Sequence, residues 1–206
     1  EVGGEEGEEV VGDAATVTAS QRTTTTADEQ IAGWEVHFNK HQTAPTPFFK
    51  ERRALIQQFE RQLTGGTKAT PLTVLEVGCG NGAAALSLLR GNPNAMIHAT
   101  DPSATAVEQT KHAVAAAGMS NRLTTAVQPT FDTPAHGLPS EVDVAMILFT
   151  LSAVPSEGEA ALLTAAARAL KPGGCLLIRD YGLYDTRHLN DARKSIKLQD
   201  ARTTHE

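Results

Sequence analysis

Glu76, Gly78, Gly80, Gly82 and Asp101 are residues whose types and spacing can hold a charged small molecule. The three glycines alternate in "EVGCGNG" (76–82), which follows the apolar run "PLTVLEV" and precedes the helical pattern "AALSLLRG". A strand, a Gly-x-Gly-x-Gly turn and a helix make a nucleotide-cofactor site. Glycine admits positive φ and lets a ligand touch the main chain, and the helix aims its free N–H groups at that ligand. The turn alone does not choose the ligand. Gly78-x-Gly80-x-x-Ala83 also fits the NAD pattern formally, whereas a P-loop is excluded because no Lys-Ser/Thr follows. Three features narrow the choice. Glu76 would repel a pyrophosphate and suits a ligand with cationic groups. Asp101 ends the next apolar run, "IHATD", nineteen residues after Gly82, where a carboxylate can accept both hydroxyls of a ribose. "ALKPGG" (169–174) joins a helical pattern to an apolar strand. Each residue also has a plain structural reading: the glycines as tight-turn residues, and Asp101 before Pro102 as a helix-capping acid.

These residues need a frame, and the hydrophobic pattern supplies one. From Leu72 onward strands and helices alternate. "PLTVLEV", "AMIHAT", "RLTTAV", "VDVAMILFTL" and "CLLIRD" read as strands, the fourth apolar enough to be buried on both faces. "AALSLLRG", "SATAVEQTKHAVAAAG" and "EGEAALLTAAARAL" read as helices, the second with Ser103 as N-cap and Gly118 as stop. "KPGG" reads as a turn. Such alternation implies an α/β fold, a parallel sheet with helices on both faces, in the strand order 3-2-1-4-5. Upstream, apolar residues at 48, 49, 55, 56, 59 and 63 predict a helix over Phe48 to Leu63, after Pro45 and Pro47. The expected organisation is a disordered tail over 1–30, a helical arm and linker over 31–70, a core over 71–185 and a polar tail over 186–206.

Composition sets outer bounds. A chain of 206 residues, 40 % hydrophobic, suits one packed domain with tails or two very small domains. No stretch approaches the ~20 apolar residues that span a bilayer, so no membrane is expected. The start at Glu1 points to a processed product or a fragment, no secretory signal is visible, and the acid-rich start argues against an intact transit peptide at this end. Two cysteines, Cys79 and Cys175, suit a reducing compartment and neither a disulfide frame nor a metal site. The net charge of −6 belongs to the tail: residues 1–30 carry eight acids and one base, residues 31–206 sixteen acids and seventeen bases. The nearly neutral body neither requires nor excludes a nucleic-acid partner.

The acid-flanked glycine turn, Asp101 and "ALKPGG" together resemble the class I methyltransferases, a Rossmann-like fold that uses S-adenosylmethionine. That cofactor carries an ammonium and a sulfonium but no phosphate, which fits Glu76. Outside the turn, "FFKERRALIQQF" (48–59), "ILFTLSAVPSE" (147–157), "LLIRDYGLYD" (176–185) and "WEVHFNKH" (34–41) are similar to segments of the tRNA 3-methylcytidine methyltransferases. The Phe-Phe-Lys-x-Arg and Arg-Asp-Tyr-Gly blocks are the specific ones.

The resemblance implies methyl transfer to N3 of a cytidine in a tRNA anticodon loop, and the cysteine usage suits a cytoplasmic setting, with a mitochondrial one the alternative. It implies Glu76, Gly78, Gly80, Gly82 and Asp101 around the cofactor. Pro129 stands where the family usually has an adenine-contacting acid, and Gln128 is expected to substitute, with Asp132 the other candidate. Arg179, Asp180, Tyr181 and Ser152 are the catalytic candidates, since the carboxyl ends of the last strands are where such sheets bind ligands. Lys50, Arg52 and Arg53 are the RNA-contact candidates. The bland alternatives are a solvated helix face for the three bases and an Arg179–Asp180 ion pair. The class usually adds a sixth and a seventh strand, not seen after the signature here, so the fifth strand is expected to be covered by a protein partner, by a second copy or by further sequence of the same protein. The competing functional reading is a methyltransferase-like protein with reduced or no activity that serves an RNA–protein particle.

Overall fold

The computed structural model describes residues 27–40, 53–128, 141–182, 184, 185 and 189. Five parallel strands form one sheet: β1 (Leu72–Val77), β2 (Ala95–Asp101), β3 (Leu123–Val127), β4 (Val142–Leu148) and β5 (Leu170–Arg179), in the order β3-β2-β1-β4-β5. The order is the one the alternating pattern predicts. The chain leaves β1 toward β2 and returns on its other side as β4, so the switch point lies at the carboxyl end of β1, where open α/β sheets bind ligands.

β1 and β4 are mostly apolar, with Thr73, Glu76 and Asp143 the exceptions, because both faces are covered. On one face Val74, Val144 and Met146 pack with Ala85 and Leu88 of α4 (Ala83–Gly91) and Val114 of α5 (Ala104–Ala116). On the other, Leu75, Ala145 and Ile147 pack with Leu162 and Ala166 of α6 (Ser156–Arg168). Ser103 caps α5 as expected, its hydroxyl accepting from the Ala106 N–H at 3.0 Å, and Gly118 ends the turn after it with φ +71°.

Four expectations are corrected. Helix α1 (Ala27–Lys40) begins inside the segment expected to be disordered. Of the predicted helix Phe48–Leu63, the described part is two short helices, α2 (Arg53–Gln58) and α3 (Glu60–Leu63), broken at Phe59. β4 stops at Leu148 rather than running through Leu151, because Phe149 turns the backbone to φ +59° and a 3-10 turn follows. "KPGG" is absorbed into β5: Val142 pairs with Leu170 and Val144 with Cys175, so the extra residues bulge out of the ladder. Gly174 suits that bulge, since a Cβ there would lie 2.9 Å from the Asp143 carbonyl oxygen.

The linker before β1 is pinned by Asn92 and by Asn94, whose Nδ2 donates to the Gly66 carbonyl at 3.3 Å. Asn92 Nδ2 donates to the carbonyls of Leu63 (2.8 Å) and Gly65 (2.9 Å). Arg122 in turn donates to the Asn92 and Leu89 carbonyls at 2.9 and 2.8 Å, satisfying the C-terminus of α4.

Candidate functional site

At the carboxyl ends of β1 and β2 the backbone does most of the shaping. Gly78, Gly80 and Gly82 all have positive φ, at +77°, +55° and +78°. The amides of Gly78 and Cys79 both donate to the Thr100 carbonyl, at 2.8 and 2.9 Å. A Cβ on Gly78 would lie 2.4 Å from Thr150 Oγ1, so that position must be glycine for space as well as conformation. Asp101 is tied in by both oxygens: Oδ2 accepts from the Gly80 N–H at 2.9 Å and Oδ1 from the Ser103 N–H at 3.0 Å. One carboxylate therefore joins the glycine turn to Ser103, the residue that caps α5.

The electrostatics of this end follow from burial. Asp101 is 6 % exposed and Glu76 2 %. Burial pushes the Asp101 carboxyl up to about 6, against the pull of the Ser103 and Gly80 amides. The Cys79 thiol is driven well above its ordinary value by burial and then by the Asp101 and Glu76 charges, so it stays protonated and inert. Gln128 follows β3, is buried, and donates its N–H to the Asp101 carbonyl at 3.0 Å. Glu76, the glycines, Asp101 and Gln128 thus meet at one end of the sheet. Pro129 and Asp132 lie outside the described residues.

Helix α1 closes over this end, through residues the sequence reading did not single out. Glu35 accepts from Ser103 Oγ at 2.5 Å and from the hydroxyl and amide of Thr105, the amide at 3.4 Å. The Ser103 bond, then the Thr105 bond, hold the Glu35 carboxyl below its ordinary value. Phe38 is buried, and a Cβ on Gly80 would sit 3.5 Å from its ring. The Phe38 carbonyl accepts from Gln109 Nε2 of α5 at 3.0 Å. The available signal was the spacing of Trp34, Glu35, Phe38 and Asn39 in "WEVHFNKH", which puts them along one side of a helix.

The carboxyl ends of β4 and β5 carry the second group. Asp180 Oδ2 accepts from the Ser152 N–H at 3.0 Å and Oδ1 from the Tyr181 N–H at 2.8 Å. The Tyr181 ring meets Phe149 at a centroid distance of 5.0 Å and remains 42 % exposed. The structure brings Ser152, Asp180 and Tyr181 together. Arg179 makes no pair with Asp180 in this arrangement: its Nη1 donates to Gln58 Oε1 of α2 at 3.2 Å and fastens the sheet edge to the arm. Lys50, Arg52 and the Arg53 side chain lie outside the described residues. Thr150 joins the two ends, donating to the Val77 carbonyl at 3.1 Å beside Gly78.

Comparison with known proteins agrees with this geometry. Residues 74–174 match the protein family described as "Methyltransferase domain". The tRNA N(3)-cytidine methyltransferase METTL6 of Homo sapiens is 31 % identical over 173 residues, covering 76 % of this chain and 55 % of the relative. The tRNA N(3)-methylcytidine methyltransferase trm141 of Schizosaccharomyces pombe is 34 % identical over 155 residues, covering 74 % and 60 %. This chain belongs to the tRNA N3-cytidine methyltransferase family. It spans a little over half the length of those curated relatives. In fold it is similar to a SAM-dependent methyltransferase from Thiobacillus denitrificans solved with S-adenosyl-L-homocysteine: TM-score 0.52, 22 % identity, 69 % of this chain and 54 % of that one.

For a tRNA N3-cytidine methyltransferase fold, the donor set at the glycine turn is informative. Two buried acids, Glu76 and Asp101, flank the turn. They suit an ammonium and ribose hydroxyls and oppose a pyrophosphate, so the residues present fit S-adenosylmethionine better than NAD. Among the described residues no helix is long and apolar enough to cross a membrane, and no cluster of His, Cys, Asp or Glu could hold a metal ion.

Proposed function

We propose that this chain carries the S-adenosylmethionine site and the acceptor site of an enzyme that methylates N3 of a cytidine in a tRNA anticodon loop. The observation that carries the reading is the Thr150 joint. It links the acid-flanked glycine turn to the strand ends that carry Ser152, Asp180 and Tyr181 at one switch point. Family membership supplies the substrate class.

When bound, S-adenosylmethionine supplies a methyl group on a sulfonium centre. Neutral cytosine N3 has an in-plane lone pair and no proton to lose, so the chain need not provide a strong base. Its work is positioning, with the base out of its stack and water kept away. Glu76 and Asp101 hold the cofactor's cationic and ribose ends, and Gln128 lines the adenine end. The acceptor base becomes cationic on methylation, and the Asp180 carboxylate faces that developing charge. Tyr181 offers an aromatic face, and Arg179 steadies the strand end that carries both. Lys50, Arg52 and Arg53 are proposed phosphate contacts. A protein partner, or a second copy, is proposed for the edge of β5. The proposed setting is a reducing one, cytoplasmic or mitochondrial.

The test is to incubate the full chain with labelled S-adenosylmethionine and total tRNA, then digest and separate the nucleosides. Label in 3-methylcytidine is expected. Cofactor binding with no label entering tRNA would overturn the reading and favour the structural role in an RNA–protein particle.

A further inference from the structure

Phe149 is a bulky residue with φ +59°, a conformation that is a true outlier for such a side chain. Backbone of this kind persists only where its surroundings over-determine it, and it gathers at ligand sites. The surroundings are visible here. The Phe149 N–H donates to the Arg179 carbonyl at 2.7 Å, fastening the ends of β4 and β5 together. The next residue, Thr150, is locked to the Val77 carbonyl and fills the space that a side chain on Gly78 would need. A glycine at 149 would take this φ without cost. The chain instead carries a ring there, and the ring is packed at 5.0 Å and 56° against Tyr181. Asp180 holds the amides of Ser152 and Tyr181, so the backbone on both sides of the ring pair is anchored.

From this we infer that Phe149 and Tyr181 form an aromatic wall that takes the face of a flat, unstacked acceptor base. Phe149 is then a positioning residue for transfer, and the Thr150 lock sets the wall's place relative to the glycine turn. The inference rests on the acceptor-site reading above, and it assigns to Phe149 a role that the block Arg179-Asp180-Tyr181 alone does not supply. The pair is a partly exposed π surface next to a carboxylate, with Phe149 backed by the hydrophobic core. Stacking on such a surface is tolerant of base identity, so the wall orients the base while polar groups select it.

The experiment compares the full chain with Phe149→Leu and Phe149→Tyr, on an anticodon stem-loop RNA carrying a fluorescent cytidine analogue at the target position. Phe149→Leu is expected to raise KM for the unmodified stem-loop roughly tenfold to a hundredfold, the range of one lost base stack. It should weaken quenching of the analogue and leave S-adenosylmethionine affinity within about twofold, while Phe149→Tyr restores quenching and KM. Unchanged KM and quenching in Phe149→Leu would overturn the wall. So would a parallel loss of cofactor affinity, which marks a purely structural role. If Phe149→Leu fails to fold, Tyr181→Leu on the exposed partner ring carries the same readouts. If the unaltered chain quenches the analogue but forms no 3-methylcytidine, the wall stands and the N3-methylation reading falls.

Discussion

The two ends of the switch point are built differently. At the cofactor end the acids are buried, the turn has three residues in left-handed backbone, and both oxygens of Asp101 are committed to main-chain amides. At the proposed acceptor end Ser152 and Tyr181 are exposed, and the shape rests on two non-glycine residues with positive φ, Phe149 and Tyr184, and on one ring pair. A buried, backbone-set pocket suits a small ligand of constant shape. An open ledge suits a segment of a large polymer that must arrive and leave. Thr150 belongs to both, so the contrast predicts which substitutions disturb one end, which disturb the other and which disturb the joint.

The largest effect should come from filling the joint. Gly78→Ala puts a methyl 2.4 Å from Thr150 Oγ1 and 2.5 Å from Thr150 Cγ2, at φ +77°. Overpacking and left-handed strain together should cost about 3 kcal/mol. Gly118→Ala is the control, because its φ of +71° is similar and a Cβ there meets nothing within 4 Å. It should cost only about 1 kcal/mol. Denaturant midpoints for the two variants separate sterics from backbone strain. Equal losses would mean that Thr150 does not occupy the Gly78 space.

Next comes Asp101. Its carboxyl is raised from 3.8 to about 6 by burial. A raised acid is protonated in the folded chain before it is in the unfolded one. Its contribution to stability is therefore most favourable below pH 3.8 and declines as pH rises through about 6. Cofactor binding has the opposite sign. If the ionised carboxylate accepts the ribose hydroxyls, S-adenosylmethionine affinity should fall as pH drops below about 6. Asp101→Asn should weaken binding by about 1–3 kcal/mol at neutral pH and flatten this dependence. Calorimetry at several pH values checks both. An unaltered affinity, or a profile as steep in the variant as in the parent, would remove Asp101 from the cofactor site.

How legible each end was from sequence follows from the same contrast. The cofactor end lay in local order: apolar run, alternating glycines, helix, and an acid at the end of the next strand. Period and spacing report such features directly. Strand order 3-2-1-4-5 followed from the alternation of strands and helices. The proposed acceptor end could be marked as a place, through Asp180 and Tyr181 at a strand end, but not as a shape. Nothing in "ILFTLSAV" marks Phe149 as left-handed, since only its hydrogen bond to the Arg179 carbonyl and the Thr150 lock impose it. "KPGG" read as a turn because Pro and Gly punctuate locally. Pairing with β4 on both sides of it makes it a bulge instead. Most of helix α1 falls in the arm expected to be helical, but its docking was hidden for a related reason: Glu35 meets residues 68 and 70 positions away.

That docking gives a smaller effect. Glu35 is held below its ordinary value of 4.5, so its contribution is fully present above pH 4.5 and is lost as pH falls through the lowered value. Glu35→Gln leaves one acceptor oxygen for the Ser103 and Thr105 donors and should loosen α1 by about 1 kcal/mol. Faster hydrogen exchange of α1 amides at neutral pH, with little change in the β1 and β4 amides, is the expected result. Exchange rates in α1 identical to the parent would show that Phe38 and Gln109 hold the helix without Glu35.

The smallest effect on cofactor affinity should come from Asp180. Its oxygens reach only the Ser152 and Tyr181 amides, and neither bond includes the Thr150 joint. Asp180→Asn keeps the volume and one acceptor but removes the charge that would face a methylated, cationic base. Turnover on tRNA should fall, while S-adenosylmethionine affinity changes by less than about 0.5 kcal/mol, the usual coupling between independent sites. Thr150→Val is the informative partner. It keeps the shape against Gly78 and loses the hydroxyl's bonds to the Val77 and Leu148 carbonyls, so it should move cofactor affinity and RNA turnover together. If Asp180→Asn weakens the cofactor as much as Thr150→Val does, the two ends are one site and the division between a preset pocket and an open ledge fails.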